Sequence, residues 1–510
     1  MATLDELKAA MAAGYTFKGD SIVLGTAMFN KEAVPNTLVS IPLNVVNRHG
    51  LIAGATGTGK TKTIQQFAES LSEKGIPVLL MDIKGDISGI ARPGTENPKI
   101  LDRHKLIGKE WKPVQTPVEL MSISGEKGLR LRATVSEFGP VLLSKILELN
   151  EIQQGTVAII FKYCDDKKMP LLDIKDFREV LQYLTNNEEG KKIVQQYGQI
   201  SSTTSGVIMR KLLELEQQGA DKFFGEKSFE VEDLLRKDKN GNAFINIIRL
   251  CDMQDKPKLF STFMLCLLAE IYQKFPELGD KASPKLVIFI DEAHLIFRDA
   301  TKTLMQQLET VIKLIRSKGV GIFFCTQIPG DIPDTILSQL GSKFQHAMRA
   351  FTAKDRKDIK LVAENYPSTK FYDTETLITE LGIGEAFVTV LDEKGAPTPL
   401  AHTLLCAPRT RMDVLTPDEQ DTIVADSEIS DGYNEVIDRK SAYEMLSGKI
   451  ETAAEEAEDK PVSTKGKESK ESTIMDKISD ATKNPMVKTV FREVTRGIFG
   501  MLFGKSSSRR

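Results

Sequence analysis

Leu51–Thr63 reads LIAGATGTGKTKT, an apolar run that breaks into a glycine-studded turn and ends in a lysine and two threonines. Gly54 to Thr61 fits the spacing GxxxxGK[ST], with strand-like sequence before it and helix-like sequence after it. Glycines let backbone N–H groups close around a polyphosphate. The lysine then reaches the outer phosphates, and the hydroxyl after it joins Mg2+. The stretch predicts a nucleoside triphosphate site built from Gly54, Ala55, Thr56, Gly57, Thr58, Gly59, Lys60, Thr61 and Lys62, with Thr61 also a metal ligand.

Outward from this loop the pattern alternates. Leu51 to Gly54 and Ile76 to Asp82 (IPVLLMD) are short apolar runs, and Lys60 to Lys74 between them has helical spacing. Apolar strands separated by helices imply a parallel sheet covered on both faces. The alternation resumes with Ala243–Leu250, a helix from Lys258 to Lys274, KLVIFIDEAH (285–294), a helix from Thr303 to Ser317, VGIFFCTQ (320–327) and a strand near KFQHAMRAF (343–351). Lys394 and Gly395 sit between two β-rich runs and predict a closing hairpin within 384–405. The fold class expected is α/β with a mainly parallel sheet.

Seven segments follow. Residues 1–48 read as β-rich, with short strands between Ser21 and Leu43 forming a small sheet beside the main core. Residues 49–84 and 243–408 are the two parts of that core, and 85–242 reads as a mainly helical insertion. Residues 409–446 are a helical extension. From 447 to 481 Glu, Lys, Ser and Thr dominate, too little apolar surface to offset chain entropy, so a disordered charged linker is expected. Residues 482–510 are a basic amphipathic tail, with seven Lys or Arg against one Glu.

The strand VIFI ends in Asp291 and Glu292. A carboxylate there binds Mg2+, and its neighbour can polarise an attacking water; this strand-terminal pair marks a motor-type ATPase, with ATP and Mg2+ as cofactors. Asp291 is thus the expected metal ligand and Glu292 the catalytic carboxylate. Gln327, ending the strand after Thr326, is expected to sense the terminal phosphate. Arg316, Arg349 and Arg356 are candidates for an arginine supplied to a neighbouring subunit's nucleotide. Asp82 and Lys84, in MDIKGD, would fall on the same sheet edge, as ligand contacts or as ordinary loop residues. His294 is read as a helix-start residue.

Composition excludes more than it identifies. A formal net charge of −3, with 27% charged residues, gives no global basic excess, so any DNA contact must be local. Five scattered cysteines without a CxxC pair argue against a zinc site or a disulfide framework and for a reducing compartment. The first residues lack the pattern of a signal peptide, and no apolar run has the length of a membrane span. A cytoplasmic location is expected.

GLIAGATGTGKT, VLLMDIKGD, VIFIDEAHLIF and GVGIFFCTQIPGDIPDTILSQLGSKFQHAMRAFTAKDRKDI resemble, in order and spacing, the HerA/FtsK superfamily of ring-forming DNA-pumping ATPases. GPVLLSKILELNEIQQGTVAIIFKYCDD is similar to the bacterial HerA-like, YjgR-like family, so the likeness runs from about Ser21 to Pro408. The resemblance implies a RecA-like P-loop core, a homo-oligomeric hexameric ring with ATP at subunit boundaries, and double-stranded DNA in the channel. It places nucleotide contacts at Gly57, Gly59, Lys60 and Thr61, the metal carboxylate at Asp291, the catalytic glutamate at Glu292 and the sensor at Gln327. The trans arginine is Arg349 or Arg356. The chain departs from archaeal HerA in having little N-terminal barrel and a large helical insertion.

Two functional classes stand. One is a DNA translocase or helicase-like motor. The other is an ATPase that remodels or scaffolds a protein partner or acts at the membrane surface, motivated by 482–510, where Val487, Phe491, Val494 and Ile498 share a helical face with Lys488, Arg492 and Arg496 nearby.

Overall fold

The computed structural model describes residues 2–446 apart from 279–282, 299–301, 436 and 438–440. The linker 447–481 and the tail 482–510 therefore lie outside the described residues. The chain divides into two compact units, the first made of Met1–Leu131 and Phe229–Glu435, the second of Arg132–Ser228 with part of the C-terminal sequence.

The first unit is built on one twelve-stranded sheet. Its strands are β1 (Ser21–Phe29), β2 (Glu32–Pro42), β3 (Gly50–Ala53), β4 (Val78–Asp82), β5 (Val118–Ser122), β6 (Leu129–Arg130), β7 (Ile245–Arg249), β8 (Leu286–Ile290), β9 (Val320–Thr326), β10 (Ser342–Gln345), β11 (Glu385–Thr389) and β12 (Ala401–Leu405). Their order is β2-β1-β12-β11-β10-β3-β9-β8-β4-β7-β5-β6. Every pair from β10 through β6 is parallel, whereas β2, β1, β12 and β11 join antiparallel, with β11 pairing onto β10. The α/β, mainly parallel fold is the expected one.

Burial explains the parallel half. β3, β4, β8 and β9 are buried at every position, as strands covered on both faces must be. Helix α2 (Lys60–Glu73) lies on one face and buries Ile64, Phe67, Ala68 and Leu71. The Phe67 ring packs edge-on to Phe289 of β8 at 5.5 Å and Phe323 of β9 at 5.2 Å, so the helix carrying the lysine is locked to the strands beneath it.

Three boundaries differ from the sequence reading. The chain opens with a helix, α1 (Leu4–Tyr15), which a Thr3–Glu6 capping box starts and which buries Leu7, Met11 and Tyr15. β1 and β2 do not form a separate small sheet; β1 pairs with β12, so the closing hairpin links them to the main sheet. The helical insertion begins at Arg132, not at residue 85, because 118–130 supply β5 and β6. β5 escapes an apolar-run reading because Glu119 stands inside it, buried and ion-paired with Arg236.

The second unit is helical. Val135–Ile146, Glu151–Lys167 and Ile174–Asn186 each open with a capping box, at Thr134, Asn150 and Asp173. Phe138 packs on Phe223 and Phe224, with centroids 6.0 and 4.9 Å away. Among the described residues no helix is long and apolar enough to cross a membrane.

Candidate active site

The phosphate-loop stretch, Asp82, Asp291 and Thr326 lie at the C-terminal ends of β3, β4, β8 and β9, neighbours in the sheet and parallel. This is the edge where open α/β sheets bind ligands. β9 separates the loop strand β3 from the carboxylate strand β8.

The loop is tied down at its start. The Gly54 N–H donates to Thr326 O at 3.3 Å and the Ala55 N–H to Ala347 O at 2.8 Å. Those two N–H groups are spent on anchoring, which leaves Thr56 and Gly57, exposed at the loop tip, and the first turn of α2 to face a ligand. Gly57 and Gly59 hold φ of +79° and +112°, conformations that favour glycine. A Cβ on Gly54 would come within 2.6 Å of the His346 side chain.

The Lys60 ammonium donates to Gly54 O at 2.7 Å and Ala55 O at 3.1 Å. Burial lowers its pKa, while Glu292 and Asp291 act in the opposite direction. Thr61 Oγ1 donates to Asp86 Oδ2 at 3.2 Å. The Lys62 side chain is committed elsewhere, to Met412 O and Gln65 Oε1, so the expectation for this residue reduces to its backbone.

Asp291 and Glu292 are both buried at the end of β8. Burial pushes the Asp291 carboxyl up to about 6, and its Oδ2 has no hydrogen-bond partner. Glu292 has φ of +45°, uncommon for a residue with a side chain. It forms an ion pair with Lys84, and its Oε2 lies 3.2 Å from His294 Nδ1. His294 opens the helix His294–Arg298, as the sequence suggested, and also touches the glutamate.

Asp82 is fully buried and accepts from Gly85 N at 2.7 Å and Ile87 N at 3.3 Å; burial pushes its carboxyl up to about 7. It shapes the loop that carries Lys84 and Asp86. Gln327 follows β9 and is exposed, while the Thr326 hydroxyl bonds Asp331 Oδ2 at 3.2 Å. Arg349, just past β10, donates to Thr379 O at 2.8 Å, and Arg356 is exposed on the helix Ala353–Glu364. Arg316 precedes β9 and lies at the opposite end of the strands from the phosphate loop.

Sequence reasoning missed His346. It is buried behind the loop, its Nε2 3.0 Å from Thr63 Oγ1, and burial with the Lys60 charge lowers its pKa to about 4. Nothing in KFQHAM distinguishes it from a core residue. The Asp86 contact to Thr61 was equally invisible, since it depends on how the turn after β4 folds back.

The donor set suits a hard cation: the Thr61 hydroxyl and the Asp291 carboxylate with its unpartnered oxygen. Among the described residues no three His, Cys, Asp or Glu side chains make a self-contained metal cage. Mg2+ does not need one, because it takes one or two carboxylates and draws its other ligands from phosphates and water.

Fold and loop together define a RecA-like P-loop protein. The sequence matches the family "Helicase HerA-like C-terminal" over residues 28–509, and the chain belongs to that family. It is 22% identical over 369 residues to the DNA double-strand break repair helicase HerA of Sulfolobus acidocaldarius, covering 71% of this chain and 66% of that protein. It is 25% identical over 348 residues to the DNA import protein CedB of the same organism, covering 64% of this chain and 48% of that one. The chain thus spans less than two thirds of the length of either relative. In fold it resembles the bacterial conjugative coupling protein TrwBdeltaN70, with a TM-score of 0.50 and 14% identity over 81% of this chain and 95% of that one.

Proposed function

We propose that this chain is a Mg2+-dependent ATP hydrolase of the HerA-like motor type, acting as a hexameric ring that translocates on double-stranded DNA in the cytoplasm. The observation that carries the reading is the meeting of Lys60, Thr61, Asp291 and Glu292 at one sheet edge, with Lys60 in the field of both carboxylates. The names of the HerA and CedB relatives support DNA as the track.

In this reading the backbone from Thr56 to Thr61 wraps the phosphates and Lys60 neutralises the outer two. Thr61 and Asp291 would hold Mg2+, which when bound screens phosphate charge. Glu292 accepts a hydrogen bond from the attacking water and draws off its proton. Gln327 would contact the terminal phosphate, and Arg349 or Arg356 would reach a neighbour's nucleotide.

ATPase rate and particle mass, measured together with and without duplex DNA, test this. A hexamer whose ATPase rises severalfold with duplex DNA is expected. ATPase activity indifferent to DNA would end the DNA reading, and no ATPase would end the whole. In mixed rings, Arg349→Ala or Arg356→Ala should poison wild-type neighbours; if neither does, the trans arginine is another residue.

A further inference from the structure

The turn after β4 reaches two parts of the site at once. Its main chain is held by Asp82, which accepts from Gly85 and Ile87, by the Leu250 N–H on Asp82 O at 3.0 Å, and by Gln254 Nε2 on Ile83 O at 3.2 Å. From this fixed turn Asp86 bonds the Thr61 hydroxyl and Lys84 pairs with Glu292.

The two partners in that ion pair differ in freedom. The Glu292 side chain is 7% exposed, on a backbone at φ +45° whose next residue donates to Cys325 O at 2.8 Å. The Lys84 side chain is 33% exposed on a four-carbon stem. Lysine is the part that can swing. A carboxylate engaged with an ammonium has fewer lone pairs free to accept from water. Lys60 and Lys84 also feel the same two carboxylates, so a polyphosphate seated on Lys60 brings negative charge next to Lys84.

We infer that Lys84 is shared between Glu292 and the terminal phosphate: a triphosphate competes with Glu292 for the lysine, and winning it frees the carboxylate to accept from water. This rests on the ATPase reading above and adds a positioning residue that couples phosphate recognition to release of Glu292. A diphosphate, one phosphoryl group shorter, does not compete, so Lys84 also separates the two nucleotides.

Calorimetric binding of the non-hydrolysable ATP analogue ADPNP and of ADP, both with Mg2+, tests the handover through a double-mutant cycle. Glu292→Gln removes the competitor, and ADPNP should then bind about tenfold more tightly, with ADP changed less than about twofold. Lys84→Met should weaken ADPNP by about tenfold or more and spare ADP. In the Lys84→Met background, Glu292→Gln should no longer tighten ADPNP, while Lys84→Arg should keep most of the preference. If Glu292→Gln tightens ADPNP equally with or without Lys84, or if Lys84→Met weakens both nucleotides alike, the handover is wrong and the ATPase reading stands. If the wild type binds neither nucleotide, both fail.

Discussion

In the antiparallel flank, β1, β2, β11 and β12, buried hydroxyls meet acceptors. Tyr15 Oη lies 2.7 Å from Pro399 O and 3.0 Å from Val388 O, and Thr389 Oγ1 donates to Thr398 O at 3.0 Å. At the C-terminal ends of β4 and β8, in the same sheet, Asp291 Oδ2 and Asp86 Oδ1 are buried without partners, and Lys60, Asp82, Asp291 and Glu292 crowd together. An unmatched buried polar atom costs about 1–3 kcal/mol, more for a charge. Unpartnered buried atoms also occur elsewhere, at Asn44 Oδ1 after β2 and Ser342 Oγ on β10 for example, but at the ends of β4 and β8 they sit among ionisable groups that a ligand could satisfy. In the proposed reading the flank stabilises and the parallel edge reacts.

The largest effect should come from removing the Lys60 ammonium. Lys60→Ala is expected to abolish detectable nucleotide binding and, with it, turnover, measured by calorimetry and phosphate release. Melting temperature should stay near wild type, because the ammonium bonds only to carbonyls of its own loop. Glu292→Gln comes next: binding survives, and turnover falls on the order of 10²–10⁴-fold, the usual weight of a general base. Near-normal turnover in that variant would move the catalytic carboxylate elsewhere and break the contrast between the two halves.

The reactive edge was more legible in the sequence than the flank, for physical reasons. Strands buried on both faces leave continuous apolar runs, so β4, β8 and β9 could be read directly, and the phosphate loop has a spacing set by backbone geometry. α1 has only a short mark, the Thr3–Glu6 capping box, and its Leu7, Met11 and Tyr15 face is buried where β1 and β2 lie against it. β6 has two residues and β5 a buried glutamate, so neither reads as an apolar run. Pairing of β1 with β12 joins residues nearly 380 positions apart, beyond any local pattern. Within the site, residue types and strand ends could be foreseen, whereas the Lys84–Glu292 pair and His346 arise from how separate turns fold back.

A buried charge away from the site sharpens the comparison. Glu69 of α2 is fully buried, yet it accepts from Arg409 N at 2.8 Å, Thr410 N at 3.0 Å and Thr410 Oγ1 at 2.9 Å. Burial outweighs these bonds and raises its pKa from 4.5 to about 7. A carboxyl raised on folding stabilises fully below its unfolded pKa and loses that contribution as pH climbs through the folded value. Glu69 should therefore favour the native state near pH 4.5 relative to pH 8 by on the order of 3 kcal/mol. Glu69→Gln should flatten that slope in thermal denaturation between pH 5 and pH 8. An unchanged slope would mean that donors from 409–410 cancel the burial.

Tyr15→Phe should give the smallest effect and the most direct test of the flank. It deletes a hydroxyl that ties α1 to the carbonyls of Val388 and Pro399, and leaves ring packing intact. Losing that bond should cost about 1 kcal/mol, read as a drop in denaturation midpoint. ATPase rate and nucleotide affinity should not move, because β11 and β12 reach the loop strand β3 only through β10. A direct bond offers a route by which they could. Gly384, beside β11, donates its N–H to Thr58 O at 3.1 Å, so a shift of the flank could pull on the phosphate loop. A Tyr15→Phe protein with normal stability and altered nucleotide affinity would show that this bond transmits strain, and the flank would then belong to the reactive machinery.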